Sequence, residues 1–373
     1  MSRAFVVNSG SSSIKYQLID LVTNESVMSG LIERIGETGG DAINHTEGIR
    51  SVLDMLGDDA DISVVGHRVV HGGDRFDRAT VITDEVLADI EALSPLAPLH
   101  NPANLAGIHA ARDVLGFVPH VAVFDTAFHQ SMPAEAYTYA IDADVAAEYG
   151  VRKYGFHGTS VRYVSRCAAE FLGRDPESTN LIVLHLGNGS SVTAVHAGRS
   201  VDTSMGLTPL QGLVMGTRTG DIDASVVAHL SRVAGMSIDD IDNLLNMRSG
   251  ILGLTGMSDM RDVEDAVATG DERARIGLSV WRHRIRHYLG AYIAQLGRVD
   301  AIVFTAGIGE NSSLLREMTC QGMEHLGIEL DSALNDVRSK VVRDIATESS
   351  AVRVLVVPTN EELEIAQQAL AAV

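Results

Sequence analysis

A chain of 373 residues, 45% hydrophobic and 21% charged, suits two globular domains, and its formal charge of −20 disfavours nucleic acid and anionic membranes as partners. Cys167 and Cys320 are the only cysteines; they give no disulfide framework and no zinc spacing, and read as reduced thiols of a cytoplasmic protein. No apolar run approaches the roughly 20 residues that span a bilayer, and the opening MSRAFVVNSGSSS is not expected to be a signal peptide.

Strands and amphipathic helices alternate along the chain. Residues 3–7 read as a buried strand, and 15–21 as a second strand after a Gly/Ser turn. Further strands are expected at 63–66 and 118–124, with helices at 85–93 and 102–115. In the latter, Asn101 is expected as N-cap and Pro102 as first helical residue. The pattern restarts after about Asp142. Residues 160–172 read as a helix, 181–185 and 191–196 as strands around a glycine turn, and 223–233 and 239–246 as helices. The longest helix is expected from Asp271 to about Leu296. Its stripe of Trp281, Ile285, Tyr288, Tyr292 and Leu296 has helical spacing and reads as core or dimer contact. Strands at 299–304 and 352–356 and a closing helix at 361–371, capped by Asn360, complete an α/β pattern. VVNSGSSSIKYQLID and IVLHLGNGSSVTAV share one device, strand–turn–strand, which suggests duplication.

Three small-residue turns could cradle phosphate. The turn from Asn8 to Ser13 lets backbone N–H groups face an anion, and Lys15 adds a point charge. The lysines are Lys15, Lys153 and Lys340, and none follows a glycine, so there is no Walker A loop. In His185-Leu186-Gly187-Asn188-Gly189, the glycines permit positive φ and close approach. Gly307-Ile308-Gly309-Glu310-Asn311 leaves a buried strand before a helix, where open α/β sheets bind ligands. A plain hairpin turn is the alternative for the first two. Arg68 in GHRVVHGG and Arg218 in MGTRTGD sit among glycines and apolar residues, where an unpaired charge is costly. A fixed anion is the economical partner for each, and a structural salt bridge the alternative. Asp125 ends an apolar strand, His157 begins a helix, and Glu361 follows the last strand; strand-end carboxylates could hold Mg²⁺ directly or through water.

NSGSSSIKYQLID, GHRVVHGG, APLHNPAN, VFDTAFH, RKYGFHGTS, HLGNGSS, GTRTGDID, FTAGIGEN and PTNEE stand in an order and spacing that resemble the acetokinase (acetate kinase) family over almost the whole chain. The resemblance implies two duplicated domains of the sugar kinase/Hsp70/actin (ribonuclease H-like) fold around an interdomain cleft. One domain would take residues 1–129 plus 363–373; the other, residues 130–362, would bind nucleotide and dimerise. It implies reversible, direct in-line transfer of phosphate between ATP and acetate, giving ADP and acetyl phosphate, in a cytoplasmic homodimer. The residues it implies are Asn8 and Glu361 for Mg²⁺ (or Mn²⁺) and Asp125, His157 and Arg218 for catalysis. Arg68 would hold the substrate carboxylate, with Val70, Leu99, Phe156 and Pro209 around its methyl group. ATP would meet Lys15, His185, Leu186, Gly187, Asn188, Gly189, Asp259, Met260, Arg261, Gly307, Ile308, Gly309, Glu310 and Asn311.

The chain departs from the pattern by a deficit between about Glu37 and Asp61, by a stretch at Gly256–Asp262 one residue shorter, and by Val161 and Ala224 in place of histidine and proline. A propionate or butyrate kinase is the nearest alternative, and a non-catalytic ATPase module of the same superfamily the more distant one.

Overall fold

Arg3–Ser9 (β1) sends alternate side chains to opposite faces. Phe5 and Val7 pack into one apolar cluster, while Ala4 and Val6 pack into another. A strand buried on both faces needs helices on both sides, and the chain supplies them. His45–Leu56 and Asn101–Leu115 flank one face, and the closing helix Glu361–Ala371 covers the other. Gly66 makes that closeness possible: a Cβ there would lie 2.8 Å from Ile365 Cγ2. The computed structural model describes residues 3–56 and 61–373, so part of the 37–61 deficit lies outside the described residues.

The remaining strands of this sheet are Ile14–Asp20 (β2), Glu25–Ile32 (β3), Ile62–Val69 (β4), Thr80–Val81 (β5) and His120–Phe124 (β6). The second sheet contains Asn180–Leu186 (β7), Ser190–His196 (β8), Arg199–Thr203 (β9), Ala301–Thr305 (β10), Arg343–Asp344 (β11) and Arg353–Val356 (β12). The first sheet has the order β3-β2-β1-β4-β6-β5, and the second read from its other end is β9-β8-β7-β10-β12-β11. Each is an antiparallel three-strand meander, then two strands parallel to its first strand, then a short antiparallel edge. One topology used twice is the duplication that the two strand–turn–strand repeats announced.

Contacts divide the chain into two units. One comprises Met1–Gln130, Phe156–Tyr163 and Asn360–Val373, and the other Ser131–Gly155 and Val164–Thr359. The short segment Phe156–Tyr163 thus groups with the first unit by its contacts. The second unit has one large core. Trp281, Ile285 and Tyr292 from the helix Glu272–Leu296 are buried in it, with Tyr288 and Leu296 at its margin. Of the two readings of that stripe, core is the one observed. Among the described residues no helix is long and apolar enough to cross a membrane.

Two local expectations need correction. The helix expected to begin at Pro102 with Asn101 as cap begins at Asn101 itself, with His100 in the cap position. The Asn101 carboxamide is engaged with His71 instead, so it cannot serve the helix end. The segment after β10 precedes a helix, Ser313–Cys320, as expected, but it is not a glycine turn. Ala306–Asn311 is itself a short helix, entered through Ala306 at φ +64°.

Candidate active site

In the first unit, three parallel strands deliver polar residues at their carboxyl ends, where α/β sheets present ligands. β1 carries Asn8, β4 carries Arg68, and Asp125 follows β6 directly. Arg68 grips Asp125 with Nη2 2.6 Å from Oδ2 and Nε 3.0 Å from Oδ2 and 3.2 Å from Oδ1. Its Nη1 donates to Asn8 Oδ1 at 3.4 Å, and Thr159 Oγ1 donates to Asp125 Oδ1 at 3.5 Å. Burial works against the charge on Arg68. The carboxylates of Asp125, Glu361 and Glu362 outweigh it and hold the guanidinium above its usual range. Glu361 feels the opposite balance. Burial, with Asp125 and Glu362 beside it, raises its pKa to about 7 against the pull of Arg68 and Lys15. Lys15 is exposed and pairs with Glu362.

A second layer fixes the loop after β4. Asn104 Oδ1 accepts from Val70 N at 3.0 Å, and its Nδ2 donates to Ser9 O at 2.8 Å. Asn101 exchanges both bonds with the His71 backbone, at 3.1 and 3.0 Å. Gly72 N donates to Thr126 Oγ1 at 3.0 Å. These bonds seat buried Val70, while Phe156 packs edge-on against His71 with ring centroids 5.5 Å apart. Leu99 is 73% exposed, so no apolar pocket encloses it within this unit. His157 stands at φ +60°, an uncommon conformation for a non-glycine residue and one that clusters at functional sites. Next to it, Gly158 N donates to Asp125 O at 2.8 Å, and a Cβ at Gly158 would lie 2.3 Å from that oxygen. Only glycine lets the His157 turn close so tightly on Asp125.

The second unit has a cavity of about 800 Å³. Of the residues implied for ATP, Gly187, Asn188, Asp259, Met260, Arg261, Gly307, Ile308 and Asn311 line it. The shortened 256–262 stretch therefore still reaches the cavity; Asp259 caps the helix Met260–Ala268 and pairs with Arg261. His185 and Leu186 are buried within β7, and Gly309 is buried behind the wall. Glu310 turns away, accepting Thr359 N at 3.1 Å. Arg316, buried, donates to Gly309 O at 2.9 Å and Glu310 O at 3.0 Å, and burial lowers its pKa to about 10.

Arg218 is half-buried and has no ion pair among the described residues; burial alone lowers its pKa. Its loop is tied on several sides. Gly216 N donates to Asn188 O at 3.0 Å, Met215 N to Arg218 O at 3.1 Å, and Ile251 N to Met215 O at 2.9 Å. Gly250, at φ +61°, sits where a Cβ would lie 2.6 Å from Arg218 O. Pro209 is half-buried in the same unit.

Against known proteins, the sequence model of the Acetokinase family matches residues 3–367. The chain belongs to the acetokinase family. An acetate kinase of Clavibacter michiganensis is 56% identical over 393 aligned positions, covering 100% of this chain and 99% of that protein. The crystal structure of Porphyromonas gingivalis acetate kinase is similar at TM-score 0.95 and 42% identity, and a propionate kinase structure from Francisella tularensis at TM-score 0.94 and 40% identity; each comparison covers 100% of both chains. The fold of this acetokinase is thus the duplicated α/β fold of its relatives.

Several residues that line the cavity of the second unit, or brace the Arg68 cluster of the first, were not singled out by the sequence. Met215, Gly216 and Thr217 line the cavity, as do Glu264, Ser312 and Arg338. The GTRTGDID motif drew attention through its arginine, although its small residues form the cavity wall. Asn104, placed by the same APLHNPAN run as Leu99, holds its partners through bonds that span 34 and 95 residues. Among the described residues no cluster of three or more His, Cys, Asp or Glu side chains is arranged to hold a metal ion. What is present fits Mg²⁺ rather than a dedicated cage: one or two oxygens such as Asn8 Oδ1 and Glu361, with phosphate and water completing the shell. A carboxyl group with its pKa raised to about 7 among like charges is one that a cation would ionise.

Proposed function

We propose that this chain is an acetate kinase, reversibly transferring a phosphoryl group between ATP and acetate in the presence of Mg²⁺. The observation that supports it best is Arg218: a desolvated guanidinium with no carboxylate partner among the described residues, in the loop whose Gly216 lines the cavity beside Asn188. A cation held so awaits an anion, and a nucleotide phosphate supplies one.

The chemistry follows from charge. A small carboxylic acid resembles glutamic acid, with a pKa of roughly 4.3, so acetate arrives ionised and there is no proton to remove. The obstacle is repulsion between acetate and the triphosphate, and catalysis is positioning plus charge stabilisation. Arg68 would hold the carboxylate. Because Asp125 occupies its Nε edge, the substrate would use the Nη1–Nη2 edge, replacing the 3.4 Å contact of Nη1 with Asn8 Oδ1. Val70 and Phe156 would pack on the methyl group, with Leu99 and Pro209 completing that surface. Asp125 would orient Arg68 and water rather than act as base. Asn8 and Glu361 would hold Mg²⁺, which, when bound, screens the charge of the leaving phosphates. Gly187, Asn188, Asp259–Arg261, Gly307, Ile308 and Asn311 would seat the nucleotide, Lys15 would add charge near the phosphates, and His157 and Arg218 would stabilise the phosphoryl group in flight. Direct transfer needs no phosphoenzyme. A cytoplasmic homodimer completes the proposal; size-exclusion chromatography with light scattering reads its size.

Incubation with ATP, Mg²⁺, acetate and hydroxylamine tests the reading. Acetohydroxamate should accumulate with ADP in equal amounts; ADP release without hydroxamate would leave only an ATPase. Similarity to both an acetate and a propionate kinase structure gives propionate a second place. One methylene is worth only about 1–3 kcal/mol, so kcat/KM for the two acids, measured side by side, decides.

A further inference from the structure

Arg218 and Asp221 are three residues apart in one loop, a stretch of chain that spans at most about 11 Å, yet their charges are not paired. Arg218 has no ion pair among the described residues, and no carboxylate offsets the effect of burial on it. Asp221 is fully engaged elsewhere. Its Oδ2 accepts from Tyr288 Oη at 2.8 Å and from Arg284 Nη1 at 3.1 Å, and its Oδ1 accepts from Gly212 N at 3.0 Å. Asp221 N also donates to Gly212 O at 3.0 Å, and Arg284 Nη2 to Asp221 O at 3.3 Å. Arg284 and Tyr288 lie one turn apart on the helix Glu272–Leu296, with Tyr288 beside the stripe of Trp281, Ile285 and Tyr292 that anchors the helix in the core.

A carboxylate released beside a desolvated guanidinium would be its strongest available partner, because ion pairs gain strength as water is excluded. We propose that Arg284 and Tyr288 are positioning residues that hold the Asp221 carboxylate away from Arg218 and so keep that guanidinium open to the transferring phosphoryl group. The inference rests on the role given to Arg218 above. Its physical content is that the loop carries its own competitor for Arg218, restrained from the neighbouring helix.

The test is whether removing the competitor restores what removing the restraint destroys. Arg284→Met with Tyr288→Phe should lower kcat for acetyl phosphate formation at least about tenfold, with KM for ATP within about threefold. Adding Asp221→Asn to that pair should return kcat to within about threefold of the parent, because a carboxamide has no charge to offer Arg218. A merely structural role predicts the reverse, a further loss with the third change. The proposal is overturned if the double variant keeps full kcat, or if the triple variant is no faster than the double. If the double variant does not melt cooperatively, Tyr288→Phe, which deletes a single oxygen, is read in the same way with and without Asp221→Asn. Arg218→Ala separates the two claims. Unchanged kcat there overturns the role of Arg218 and this inference with it, whereas a large loss there without rescue in the triple variant overturns the restraint alone.

Discussion

Arg68 and Asp125, 57 residues apart in the chain, meet in a two-pronged ion pair with Nη2 2.6 Å from Oδ2. The pair joins the ends of two neighbouring parallel strands, and it gives Asp125 an occupation that a general base would not have. Asp125→Asn should therefore lower kcat by about 10²–10³ through loss of charge and alignment. Raising the pH or adding small carboxylate or amine bases should not recover it. Recovery by either would show that Asp125 accepts a proton.

Glu361 makes acid and metal dependence readable. Its folded pKa of about 7 lies above its ordinary value of 4.5, so the fold favours the protonated form. That contribution to stability is complete below about pH 4.5 and is lost as pH rises through about 7. Without divalent ions, Tm should fall between about pH 5 and about pH 8, and Glu361→Gln should flatten that slope. Mg²⁺ needs the ionised form, so the rise in Tm on adding Mg²⁺ should be larger at about pH 8 than at about pH 6. A Mg²⁺ effect independent of pH would remove Glu361 from the metal site.

Asn104 ties Val70 N to Ser9 O through one carboxamide. Asn104→Ala strands two buried backbone groups at about 1–3 kcal/mol each, a loss that thermal melting should register. KM for acetate should rise more than KM for ATP, because the loop that moves is the one bearing Val70. Asn104→Asp keeps the acceptor and loses the donor, and should fall between the parent and Asn104→Ala. Equal effects on both substrates would place Asn104 in general stability alone.

At Gly216, a Cβ would lie 1.8 Å from Asn188 Oδ1, the tip of a side chain that can swing away. Gly216→Ala should therefore melt within a few degrees of the parent while displacing Asn188 from the cavity. The expected signature is a KM for ATP raised about tenfold with KM for acetate nearly constant. A large drop in Tm without that split would make the contact structural.

What the sequence disclosed was local. β1, β2, β7 and β8 were legible because alternation and turn residues lie within one stretch, and Asn360 caps the last helix through Leu363 N as its position suggested. Their equivalence became a duplicated topology once the strand order was visible. β3 and β9 were not anticipated: Glu25–Ile32 is mostly solvent-facing, and five-residue Arg199–Thr203 has charged residues at two positions. Distance in sequence hid the rest. Asn101 has the residue type of a helix cap, yet its partner is His71, 30 residues earlier. Glu310 belongs to a glycine-rich phosphate segment, yet its carboxylate goes to Thr359. Arg68 stood out as an arginine among glycines, but that Asp125 would occupy one edge of it depends on strand order, which no local pattern encodes.

The central claim is that phosphoryl transfer here proceeds by neutralising two mutually repelling anions, with Arg218 as the cation reserved for the phosphoryl group. Steady-state kcat for acetyl phosphate formation by Arg218→Ala, at saturating ATP, Mg²⁺ and acetate, tests it most directly. The account predicts a loss of about 10³-fold or more, the scale of arginine fingers elsewhere, with the substrate KM values far less affected. A variant within about tenfold of the parent kcat would contradict it.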